Sequence, residues 1–129
     1  MKNSLAIILT FIGLSLTVSA SDLPETVLVT GQEQHVQGIA YDSAENCMYM
    51  SFTSRFVKTD MQGNILASIV RLQGYLGAMT FNPETRKVYA SLECKDDEIG
   101  AGIAKTLNVN TVSRADSRFF IAIIDVDRL

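Results

Sequence analysis

Residues 36–53 and 76–93 are two copies of one pattern set 40 residues apart, and this repeat restricts the fold more than any other feature of the chain. Slid over one another without a gap, VQGIAYDSAENCMYMSFT lies on LGAMTFNPETRKVYASLE. Tyr49 falls on Tyr89 and Ser51 on Ser91, while Val36/Leu76, Ile39/Met79, Tyr41/Phe81, Asp42/Asn82, Met48/Val88 and Phe52/Leu92 are like for like. Two identities alone are within chance. Eight matched positions in one register, with a turn at the same place in both copies, mark a structural unit used twice.

Each copy reads as two short strands around a tight turn: a strand over 37–41, a turn over 42–46 and a strand over 47–53. In the second copy Asn82-Pro83-Glu84-Thr85 suits a type I turn, because Pro presets φ at the second position and Asn bonds back to the backbone. A third strand over 56–60, a loop over 61–64 with Gly63 and a fourth strand over 65–72 complete the first unit. Four antiparallel strands in about 40 residues is the size of one β-propeller blade. Met48, Met50 and Phe52 on one face and Tyr49 on the other suit a sheet covered on both sides. The second unit is interrupted: its third strand is expected over 119–125, after an insertion over 94–118 in which Ile99, Ile103 and Leu107 recur every four residues and predict a short helix. The expected fold is all-β, with antiparallel propeller blades over 35–72 and 75–129. Two incomplete blades do not close a ring of four to eight, so a fragment of a larger propeller is expected.

The first 20 residues have the three parts of an export signal: Lys2, an apolar run over 5–18, and small residues at Val18-Ser19-Ala20 before a cut at Ser21. About 14 apolar-rich residues span only ~21 Å as a helix, short of a ~30 Å hydrocarbon core, so contact with a membrane is expected only through this segment if it stays uncleaved. The expected location is periplasmic or extracellular. An oxidising compartment invites a disulfide between Cys47 and Cys94. The repeat argues against it, since Cys47 opens one strand and Cys94 closes the equivalent strand of the next unit, so both are expected free and largely buried. With 11 Lys and Arg against 14 Asp and Glu there is no basic footprint for nucleic acid. One His and two Cys leave little for a four-ligand zinc site.

QGIAYD, then MYMSFT, then KTDMQGN resembles the blades of secreted bacterial propellers of the NHL, YVTN and gluconolactonase-like type, over residues 35–93 and 119–127. The resemblance implies the fold. For function it implies little, because one scaffold serves many roles. The gluconolactonase-like enzymes place a metal-binding Glu just before the Gly of their first innermost strand, where this chain has the neutral Gln37.

In a propeller the loops entering the innermost strand and those joining the second strand to the third surround the channel mouth. This gathers His35, Gln37, Thr53, Ser54, Arg55, Tyr75, Glu93 and Lys95 as candidate ligand-binding residues. His35 has the chemistry of a base or metal ligand, or of a strand cap. Arg55 has the fork to clamp a carboxylate or phosphate, or is a solvated surface residue. Asp96, Asp97 and Glu98 offer hard oxygens of the kind calcium prefers. They equally suit the first turn of the inserted helix, where carboxylates cap free N–H groups. No cofactor is otherwise indicated, and neither a nucleophilic triad nor a phosphate loop can be assembled. The favoured expectation is a non-catalytic exported module binding a small molecule, glycan or protein. A metal-dependent hydrolase or lactonase and a structural module of a surface assembly are the alternatives.

Overall fold

A computed structural model of the chain describes residues 26–31 and 34–129, so the signal expected over 1–20 lies outside the described residues. The strands are β1 (Val36–Asp42), β2 (Cys47–Phe52), β3 (Arg55–Asp60), β4 (Ile65–Ile69), β5 (Tyr75–Asn82), β6 (Lys87–Cys94) and β7 (Arg118–Asp125). They form an antiparallel four-stranded sheet in the order β1-β2-β3-β4 and an antiparallel three-stranded sheet in the order β5-β6-β7. The helix α1 (Glu98–Leu107) interrupts the second sheet between β6 and β7. The architecture is mostly β and neither sheet is closed. Among the described residues no helix is long and apolar enough to cross a membrane.

The 40-residue repeat is reproduced down to single backbone features. The β1–β2 ladder slips register between Val36 and Gly38, and the β5–β6 ladder slips between Leu76 and Met79. Asp42 Oδ1 accepts from the N–H groups of Ala44 and Glu45 at 3.0 and 3.3 Å, while Asn82 Oδ1 accepts from those of Glu84 and Thr85 at 2.9 and 3.2 Å. Each turn ends on a left-handed residue, Asn46 at φ 50° and Arg86 at φ 53°. Asn tolerates that conformation, and Arg adopts it at a cost of ~1 kcal/mol.

Period-2 alternation sends Cys47, Tyr49 and Ser51 to one face of the first sheet, together with Ala40 and Phe56. The second sheet covers this face with Leu76, Val88, Ala90 and Ile124, and Tyr49, Phe56, Leu76 and Val88 are fully buried. The Tyr49 ring lies 5.7 Å from Phe56 and 5.3 Å from Phe81, joining the sheets through aromatic contact. β1 runs beside β5 so closely that a Cβ on Gly38 would stand 2.6 Å from Gly77 O, and Ser51 Oγ donates to that carbonyl at 2.8 Å. The opposite face of the first sheet carries Met50, Phe52 and Val57, packed with Met48 and with Val29 of the segment preceding β1.

Two expectations need correction, and the expected helix is present with a narrower buried stripe. The fourth strand stops at Ile69 rather than 72, because Arg71 takes φ 63° and Leu72 N–H turns back to Ser54 O at 3.1 Å. Ile99 is half exposed, and the buried stripe of α1 is Ile103, Ala104 and Leu107. Both cysteines are free, but only Cys47 is fully buried; Cys94 is half-buried, with its thiol donating to Gln73 O at 3.1 Å.

Candidate ligand-binding clefts

The strand directions bring one set of chain ends together. β1 begins where β2 ends, with Val36 opposite Phe52, and the chain then turns through Thr53 and Ser54 into β3. Leu76 N–H donates to Thr53 O at 2.6 Å, which ties the start of β5 to the same place. Since β6 runs antiparallel to β5, Cys94 also leaves there, and the inserted segment must emerge beside Ser54 and Arg55.

α1 is capped at both ends by its own sequence. Asp97 Oδ1 accepts from Gly100 N–H at 2.8 Å, and Asn108, at φ 55°, closes the C-terminus by donating its N–H to Ala104 O and Lys105 O. Arg71 Nη2 donates to Leu107 O at 3.0 Å, placing a cation at the negative end of the helix. The segment returns through a 3-10 turn at Arg114–Asp116 and is pinned by Asp96 N–H to Ser117 Oγ at 3.1 Å.

Two clefts flank the helix. The first, about 290 Å³, lies between α1 and the ends of β6 and β7; Ile103, Ala104, Val112 and Phe120 give it apolar walls, and Glu93 and Lys95 stand in its lining. The second, about 420 Å³, is lined by Ser54, Arg55 and Arg71 on the sheet side and by Thr106 and Leu107 of α1. A smaller recess of about 160 Å³ joins Tyr75, Glu93, Lys95 and Asp97. Lys95 pairs with Glu93, which holds the ammonium above its usual range, and its Nζ also sits 4.9 Å from the centroid of the Phe119 ring.

Most of the residues singled out from the sequence gather at this end. Ser54 and Arg55 line the larger cleft, and Tyr75, Glu93 and Lys95 line the recess. Gln37 is turned away from ligand duty, since its side-chain carbonyl accepts from the Tyr75 hydroxyl. Thr53 is a positive-φ corner at 34°, and the exposed His35 lines neither of the two clefts that flank α1. Of Asp96, Asp97 and Glu98, Asp97 takes the helix-capping alternative, its Oδ1 accepting from Gly100 N–H at 2.8 Å. Among the described residues, the group whose ligand atoms lie within 4.8 Å of one another is Asp42, Glu45 and Cys47, at the opposite end of the sheets. There the Arg86 guanidinium already supplies the positive charge, 2.9 Å from Asp42 Oδ2. Burial raises the Cys47 thiol and keeps it protonated, which is unfavourable for a metal ligand.

Sequence reasoning missed Arg71, Val112 and Phe120. Arg71 carries no local signal, because its role depends on where α1 comes to rest. Phe120 was readable as a β7 residue, yet its place in a cleft follows only from the path of the insertion. No protein-family model matches the chain, and no curated protein matches it.

Proposed function

We propose that this chain is an exported, non-catalytic binding module built from β-propeller blades of the NHL, YVTN and gluconolactonase-like kind, and that its ligand is a small amphipathic molecule. The blade reading is supported by the recurrence of bulge, turn and left-handed residue in the two copies, and by face-to-face stacking of consecutive antiparallel sheets. The observation that carries the binding reading is the course of residues 94–118. They fold over the end of the sheets that holds Ser54, Arg55, Glu93 and Lys95, away from the end that holds Asn46 and Arg86, and leave clefts of about 290 and 420 Å³ beside α1. Clefts of this size with apolar walls and a few polar groups suit small ligands. In the smaller one Ile103, Val112 and Phe120 receive the apolar part, while Lys95 and Glu93 fix a polar end. The hydrolase alternative has less support, because Gln37 stands where a metal-binding carboxylate is needed and is bonded to Tyr75.

Titrating the ¹⁵N-labelled protein with a library of soluble fragments tests this reading. Amide shifts are expected at Glu93, Lys95, Gly100, Val112 and Phe120. Shifts confined to the turns at Asn46 and Arg86 contradict it.

A further inference from the structure

Stacking of the first sheet on the second uses one face of each, and the repeat identifies the counterparts of both faces. The receiving face of the first sheet is formed by Ala40, Tyr49, Ser51 and Phe56, all buried. Forty residues on, Thr80, Tyr89 and Ser91 hold the places of Ala40, Tyr49 and Ser51, and Ile121, opposite Ser91, holds the place of Phe56, opposite Ser51. Phe56 is fully buried, whereas Ile121 is 74% exposed and its neighbour Ile123 is 61% exposed. The inserting edge of the second sheet is β5, with Leu76, Met79 and Phe81 packed into the shared core. Their counterparts on β1 are Val36, Ile39 and Tyr41, exposed by 44, 54 and 50%. Among the described residues Val29 packs on the same side of the first sheet with Met50, Phe52 and Val57, and the β1 residues stay exposed.

The described residues therefore carry both halves of the internal interface on opposite sides, with no partner for either among themselves. We infer that a second copy of this chain docks head to tail, placing its β1 edge on the Thr80, Tyr89 and Ser91 face of the first. The inference rests on the repeat and not on the ligand clefts. In the internal contact Phe81 lies against Tyr49. In the intermolecular one Tyr41 lies against Tyr89, where an open hollow of about 430 Å³ is lined by Thr80, Asn82 and Tyr89. Ser91 stands where Ser51 does, facing the backbone of Gln37 as Ser51 faces that of Gly77. Arg86 reaches Asp42 and Glu45 across the internal contact. The equivalent positions are Asn46 facing Asn82 and Thr85, so no like charges meet. The steric difference is at Ala78, which stands where the internal contact has Gly38, whose Cβ would lie 2.6 Å from a backbone carbonyl oxygen. That methyl holds the copies slightly apart and makes the intermolecular contact the weaker of the two. An interface that joins two different faces extends to a ring if its rotation closes and to a filament otherwise.

Sedimentation velocity over a concentration series, on protein recovered from cells expressing the full chain, decides the matter. Association is expected to rise with concentration and to tighten several-fold in Ala78→Gly. Ile39→Arg and Thr80→Arg, both at exposed positions, are each expected to be folded monomers that melt like the unsubstituted protein. Mixed together they should form a dimer and stop there, since one intact contact remains between them. A monomer at all concentrations overturns the inference, as does either variant associating like the unsubstituted chain or a mixture that stays monomeric.

Discussion

Asp42 and Asn82 do the same work in their turns, each accepting two backbone N–H groups through Oδ1. The charge makes the difference, because Asp42 Oδ2 also accepts from the Tyr49 hydroxyl at 3.1 Å and from Arg86 at 2.9 Å. Burial raises the Asp42 carboxyl, but the N–H of Glu45, the Arg86 guanidinium, the N–H of Ala44 and the Tyr49 hydroxyl outweigh it and hold the group below its usual range. A lowered folded pKa contributes stability that is present above the unfolded value of 3.8 and is lost as pH falls through the folded one. Asp42→Asn keeps the turn, as Asn82 shows, and removes the charged partner of Arg86. It is expected to cost about 2 kcal/mol at neutral pH. Urea melts at pH 7 and pH 3 check this: the gap between the two proteins should narrow at pH 3, and an equal gap at both contradicts the assigned role. The turn chemistry was legible in the sequence because Asx bonding is local. The ion pair was not, because Arg86 reaches Asp42 only after the two sheets have stacked.

At the scale of the element, α1 was legible through the spacing of Ile103 and Leu107 and through Asp97 as a cap. Its orientation was not, since Ile99 shares that spacing and still faces solvent. The helix contains two glycines with opposite roles. A Cβ on Gly100 would lie 1.9 Å from the carbonyl oxygen of Lys95, so the close entry of the chain into the helix requires glycine there. Gly102 has nothing within 4 Å of the same position. Gly102→Ala is expected to stabilise the protein by about 0.5–1 kcal/mol through helix propensity. Gly100→Ala is expected to destabilise it and to loosen both clefts. Paired thermal melts test the contrast, and similar shifts for the two substitutions contradict it.

At the scale of the molecule, the repeat predicted the strand order of both units and the place of the insertion, because sequence spacing maps directly onto ladder register. The clefts lay beyond such reasoning, since their walls come from segments as far apart as Ser54, Lys95 and Phe120. The central claim is that the insertion serves binding while the sheets stand without it. The β6–β7 ladder closes across the insertion, as Cys94 pairs directly with Arg118. A closed-hairpin variant puts a two-residue Asn-Gly turn in place of everything between them. The measurement is fragment binding by ligand-observed NMR to this closed-hairpin variant, with Val112→Trp as a second variant that fills the smaller cleft and keeps α1. Both are expected to retain strand content and a cooperative melt while losing the fragments that bind the unsubstituted protein. Folded variants that bind those fragments undiminished would contradict the claim.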